Sequence, residues 1–166
     1  IPTDPNINQR MRGQSEQARK ENTLEAIRKN ITYAKNQWFE SIQFSPEGWL
    51  TTPDFDFLCK SCIVAIESGA TILNIPDTLW RLDPFEASKR FALLRQVLEP
   101  IMVQNDVIFS AHMHNDDDMA NANTLGAVMA SVGSMKKDGF HTQIETSLLW
   151  FGERDGIANI ATLATR

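Results

Sequence analysis

At 166 residues, 42% hydrophobic and 22% charged, the chain has the make-up of one folded domain with a sizeable core, not of a disordered segment. A formal charge of -5 argues against a general nucleic-acid surface, which needs clustered positive charge. No stretch approaches the roughly 18 apolar residues of a membrane helix and the first residues lack a secretory apolar core, so the expectation is a cytoplasmic protein with no nucleic-acid or membrane partner.

Residues Ile1 to Gly13 lack periodicity, and Pro2 and Pro5 with Asp4, Asn6 and Asn8 read as a loop that continues from something earlier. The chain begins without methionine. From Ser15 to about Gln37, Leu24, Ile27, Ile31, Ala34 and Trp38 recur at three- and four-residue steps and predict an amphipathic helix. The densest basic group, Arg10, Arg12, Arg19, Lys20, Arg28 and Lys29, is interleaved with Glu16, Glu21 and Glu25, the pattern of a solvated helix face. A strand is predicted over Phe39 to Phe44, ending at Ser45-Pro46-Glu47-Gly48. Thr52 as N-cap and Pro53 at the first helical position open a helix that runs to Gly69. Within it Cys59 and Cys62 share a buried face, and without a second cysteine pair their spacing reads as packing and not as zinc or dithiol chemistry.

Ala70 to Ile75 is a short buried strand that leads into Pro76-Asp77-Thr78. Asp83-Pro84-Phe85-Glu86 opens the next helix as a capping box, and Phe91, Leu94 and Leu98 carry its buried face until Pro100 ends it. The run Asp106-Val107-Ile108-Phe109-Ser110 predicts a strand, followed by His112-Met113-His114-Asn115-Asp116. In a strand, residues two apart project from one face, so His112 and His114 can share one ligand. Two imidazoles so placed are either the start of a divalent metal site or a chance spacing whose rings are satisfied by neighbouring carbonyls. Their position between an apolar strand and a polar turn points to metal. A helix over about Met119 to Met135, a strand around Thr142 to Ser147, a loop at Gly152-Glu153-Arg154-Asp155-Gly156 and a last helix over Ile157 to Ala164 complete the pass.

Strands that start about 30 to 37 residues apart and alternate with helices predict an α/β fold of parallel (β/α) units. Ligands in such folds bind at the carboxyl ends of the strands. That rule selects Ser45-Pro46-Glu47, Asn74-Pro76-Asp77-Thr78, His112-His114-Asn115-Asp116 and Gly152-Glu153-Arg154 together.

Phe44-Ser45-Pro46-Glu47, Asn74-Ile75-Pro76-Asp77-Thr78, His112-Met113-His114-Asn115-Asp116 with Ala122-Asn123-Thr124, and Gly152-Glu153-Arg154 resemble, in order and spacing, the 2-isopropylmalate synthase and homocitrate synthase family. The resemblance runs from about Thr3 onward. It implies a TIM barrel, a (β/α)8 fold, of which residues 1–166 are the C-terminal part, about strands five to eight, with the first four strands outside the chain. It implies an acyltransferase that condenses acetyl-CoA with a small 2-oxo acid, as in leucine biosynthesis. A homocitrate synthase or related metal-dependent lyase, or an inactive binding or assembly module, are the alternatives. It makes His112 and His114 ligands of a divalent cation, magnesium or manganese before zinc. It gives Glu47 a part in removing the methyl proton, Thr78 a hydrogen bond to the 2-oxo acid's carboxylate, and Asn115 and Glu153 supporting roles around the ligands. Departures stand beside the matches: Ile157 occupies the place of an asparagine that approaches the metal in the isopropylmalate branch. Trp80, Asp118 and Trp150 stand where the family often has glycine, with the expectation that the tryptophans narrow the pocket. A half-barrel also leaves two sheet edges unpaired, from which the expectation is either that the chain is an excerpt of a longer protein or that two copies associate as a homodimer.

Overall fold

The computed structural model describes residues 13–48, 54–78, 82–132 and 142–165, so Thr52, Pro53 and Trp80 lie outside the described residues. Helix α1, Glu16–Asn36, starts where Ser15 accepts a hydrogen bond from the Ala18 N–H, and it buries Ile27 and Ile31. Strand β1 is Gln43–Phe44 alone, shorter than the predicted Phe39 to Phe44. Phe39 is exposed, so only the last residues of that apolar run reach the sheet. The Thr71 hydroxyl supplements the short ladder by accepting from the Ile42 N–H at 2.9 Å.

Helix α2, Phe55–Ser68, is capped by Asp54, whose carboxylate accepts from the Phe57 N–H, so the helix begins two residues later than Thr52-Pro53 suggested. An acidic cap suits the positive end of the helix, and Lys20 of α1 pairs with the same carboxylate at 2.5 Å. Cys59 and Cys62 are free and buried. Burial pushes the Cys59 thiol up to about 11 and the Cys62 thiol higher still, which fits packing and not reactivity.

Strand β2, Ile72–Asp77, is followed by α3, Pro84–Gln104. Asp83 caps α3 through the Glu86 N–H, but the Glu86 carboxylate turns forward to Arg90 at 2.8 Å and not back to the cap. Pro100 lies inside α3 and does not end it. Gln96, whose carbonyl loses its partner at Pro100, is exposed and can be hydrated there. Strand β3, Ile108–Met113, sits two to three residues further along than Asp106 to Ser110. Helix α4, Ala120–Val132, strand β4, Thr142–Glu145, and a single-turn α5, Ile160–Leu163, follow.

The four strands form one parallel sheet in sequence order, β1-β2-β3-β4. This is the expected α/β arrangement of successive (β/α) units. Alternation divides the sheet. Leu73, Ile75, Phe109, Ala111 and Met113 face the helices and are buried, with Phe91 of α3 edge-on to Phe109 at 5.5 Å between ring centres. Leu58, Leu94, Leu98 and Met102 complete that core. The opposite face carries Gln43, Asn74, Ser110 and His112, so the apolar side holds the fold together and the polar side faces the cleft.

Candidate metal and substrate site

Period-two alternation continues from β3 into the turn, so His112, on the strand, and His114, just after it, emerge on one side. Their Nε2 atoms lie 3.2 Å apart with ring centres 4.9 Å apart. The segment that returns from the loop after β4 fixes the second ring's backbone. Ile157 forms an antiparallel bridge with His114, the Ala158 N–H donates to the Met113 carbonyl, and the Asn115 N–H donates to the Gly156 carbonyl. Ile157 thus stands directly beside His114.

An open cleft of about 370 Å³ lies against these rings. Its walls include Ser45 and Glu47 from the end of β1, Asn74, Pro76 and Thr78 from β2, Glu145 at the end of β4, and Glu153 and Arg154 from the loop beyond it. All four clusters selected by the strand-end rule therefore meet at one place. Side-chain hydrogen bonds also join the loops. The Thr78 hydroxyl accepts from the Gly48 N–H at 3.2 Å, tying the Pro-Asp-Thr turn to the Ser-Pro-Glu turn. Arg154 donates from Nε to Asp116 at 2.8 Å and from Nη2 to the Thr78 carbonyl at 3.3 Å, joining three strand ends.

Glu153 is exposed and lies 3.8 Å from Arg154 Nη1. Asn115 is buried; its amide oxygen accepts from the first N–H of α4 and its amide nitrogen donates to Asp118. The carboxylate in contact with an imidazole is one that the sequence reading missed: Glu145 meets Nδ1 of His112. Its only advance signal was the strand assignment, since the two residues are register partners on β3 and β4. The Glu145 carboxylate also accepts from the Gln43 side chain at 2.8 Å, so the sheet curls enough for its two outer strands to touch across the cleft.

Neither Asp118 nor Trp150 lines the cleft, which corrects the expectation that Trp150 narrows it. Both residues sit in the left-handed region, at φ 57° and 65°, so the turn geometry at these two positions is the one glycine adopts without strain.

Whether the residues fit a divalent cation is decided by the two rings. Two nitrogens bound side by side on one ion, each at about 2.1 Å, lie roughly 3 Å apart, close to the separation here. Burial, reinforced by the neighbouring His112 and Arg154, holds His114 down at about 4, so its ring is neutral at pH 7, as a ligand must be. Its other ring nitrogen, Nδ1, is buried with no hydrogen-bond partner among the described residues, so Nε2 is the nitrogen that this ring offers to the cleft. The set is partial: among the described residues no group of three or more histidine, cysteine, aspartate or glutamate side chains is placed to hold a metal.

The family model described as HMGL-like matches residues 8–166. Among curated proteins the chain is similar to the 2-isopropylmalate synthase of Staphylococcus epidermidis, 38% identical over 141 residues, which is 85% of this chain and 25% of the relative. It is similar also to that of Staphylococcus aureus, 34% identical over 145 residues, 87% of this chain and 26% of the relative. The chain spans about a quarter of the length of the curated relatives it matches.

Proposed function

The chain belongs to the HMGL-like family, and from that premise we propose that it supplies part of the catalytic barrel of an acyltransferase of the 2-isopropylmalate synthase kind. The reaction condenses acetyl-CoA with a small 2-oxo acid and then releases CoA by hydrolysis. The observation that carries the proposal is the meeting of two imidazoles with Glu47 and Thr78 around one cleft at the carboxyl ends of parallel strands.

In this reading His112 and His114 hold a divalent cation, magnesium or manganese before zinc, and the remaining ligands come from outside the described residues. The cation, when bound, polarises the keto oxygen and offsets the negative charge that develops there. Glu47 accepts the proton that leaves the methyl carbon of acetyl-CoA, and the carbon so freed bonds to the keto carbon of the acid. Thr78 receives the Gly48 N–H on its oxygen and so keeps its own hydroxyl proton to donate to the acid's carboxylate. Arg154 holds the Thr78 turn against the histidine turn, so the groups that bind the acid and those that bind the cation keep one spacing. Water then cleaves the thioester and the CoA thiol departs.

Ile157 favours a second reading, a homocitrate synthase-like or related lyase, because it puts an apolar side chain beside His114 where the isopropylmalate branch has asparagine. One experiment tests both: thiol release from acetyl-CoA by the full-length gene product that carries this chain, against a panel of branched, linear and dicarboxylic 2-oxo acids. A branched acid as best substrate supports the first reading and a dicarboxylic acid the second. Absence of release with every acid, at saturating manganese, contradicts both.

A further inference from the structure

We infer that Glu145 is a positioning residue: its carboxylate fixes the proton of His112 on Nδ1 and so turns the bare Nε2 toward His114 and the cleft. The inference rests on the reading that these two histidines share a cation, but its central readout does not need the ion.

The argument begins with backbone register. His112 and Glu145 are direct partners on adjacent parallel strands, so both side chains leave the same face side by side. Their contact is built into the sheet and does not depend on a long loop. A carboxylate only accepts hydrogen bonds, so a neutral imidazole facing it must carry its proton on the facing nitrogen, Nδ1. That leaves Nε2 of His112 with a lone pair. The Nε2 of His114 faces it at 3.2 Å, and two bare nitrogens would repel at that distance. In the metal-free protein the neutral His114 therefore carries its proton on Nε2 and donates to His112. The two rings adopt opposite tautomers, and Glu145 decides which is which.

Glu145 is itself held. Gln43 donates to its other oxygen at 2.8 Å, Gln43 also approaches the Ser45 hydroxyl at 3.5 Å, and Asn74 donates to that hydroxyl at 3.1 Å. The chain of contacts Asn74, Ser45, Gln43, Glu145, His112 draws on all four strands and crosses the polar face of the sheet. A ligating imidazole whose second nitrogen is bound by a carboxylate is a recurrent arrangement, and loss of the carboxylate typically weakens metal affinity by about 10- to 100-fold. Nothing in the proposed chemistry requires Glu145 to touch the substrate.

The test is nitrogen NMR of the full chain, labelled with 15N in its histidine rings and free of metal at pH 8, for wild type, Glu145→Ala and Glu145→Gln. Expected are an Nδ1–H form of His112 in the wild type, conversion to mixed or Nε2–H forms in Glu145→Ala, and retention of Nδ1–H in Glu145→Gln, whose amide oxygen still accepts. Manganese affinity by titration calorimetry should fall about 10- to 100-fold in Glu145→Ala and only a few-fold in Glu145→Gln. Because Glu145→Gln keeps the shape of the side chain, it separates positioning from misfolding. An Nε2–H His112 in the wild type, or the same tautomer in all three proteins, overturns the inference. An Nδ1–H wild type that loses this form in Glu145→Ala but binds no manganese supports the positioning of the ring and contradicts the metal reading instead.

Discussion

Gly156→Ala tests the loop that sets the backbone of the second histidine. Gly156 has φ 84°, and a Cβ built on it would lie 1.6 Å from the Trp150 carbonyl oxygen and 2.7 Å from its carbon. Carbon and carbonyl oxygen approach to about 3.3 Å, so backbone must move by more than about 1.5 Å. The segment is pinned on both sides: the Gly156 N–H donates to the Glu153 carbonyl and the Gly156 carbonyl accepts from Asn115, each at 3.0 Å. Losing both bonds costs about 2 kcal/mol, and the left-handed backbone adds roughly 1 to 2 kcal/mol for alanine. The total is about 3 to 4 kcal/mol. Gly13→Ala is the internal control, since Gly13 shares φ 84° but a Cβ there would meet nothing within 4 Å among the described residues; it should lose only the backbone part, roughly 1 to 2 kcal/mol. Urea unfolding of the two variants should separate their midpoints by on the order of 1 M, and Gly156→Ala should also weaken manganese binding because the Asn115 and Ile157 contacts flank His114. Equal midpoints for the two variants would refute the reasoning.

Further expectations concern chemistry and pH. Glu47→Gln should lower thiol release by about 100- to 10,000-fold while leaving calorimetric manganese affinity within a few-fold; a drop confined to affinity would remove Glu47 from proton transfer. The ring of His114 titrates at about 4 when folded against an ordinary value of 6.5, so the unfolded chain binds the extra proton between these values. Its folded-state penalty is absent above pH 6.5 and grows as pH falls toward 4, to at most about 3 kcal/mol. Urea midpoints of the metal-free chain between pH 7 and 4 should therefore fall less steeply in His114→Gln than in wild type, and parallel curves would dismiss the assignment. Cys59, whose thiol is pushed up to about 11 by burial, should resist alkylation in the native chain at pH 8; rapid labelling under native conditions would contradict its packed role.

Much of the site was legible in the sequence because local geometry dictated it. The two-residue period of a strand was enough to put His112 and His114 on one side, and Asp83 marked a helix start because an oxygen side chain before a helical run has backbone N–H groups to accept from. Contacts set by tertiary registration were not legible. Glu145 lies 33 residues from His112 and 102 from Gln43, and only the pairing of β3 with β4 and the curl of the sheet bring the three together. Pro100 was misread because a helix tolerates proline where the freed carbonyl, here that of Gln96, is on a solvated side. Trp150 was misread because a glycine position was taken for close ligand approach when it marks a left-handed turn.

The most direct measurement is pulsed electron paramagnetic resonance of the manganese-loaded full chain, which resolves nitrogen nuclei bonded to the ion. Two coordinated imidazole nitrogens are expected in the wild type, one after His112→Ala or His114→Ala, and none after both. A wild-type spectrum with one or no bound nitrogen, or one that either substitution leaves unchanged, would contradict a cation shared between His112 and His114.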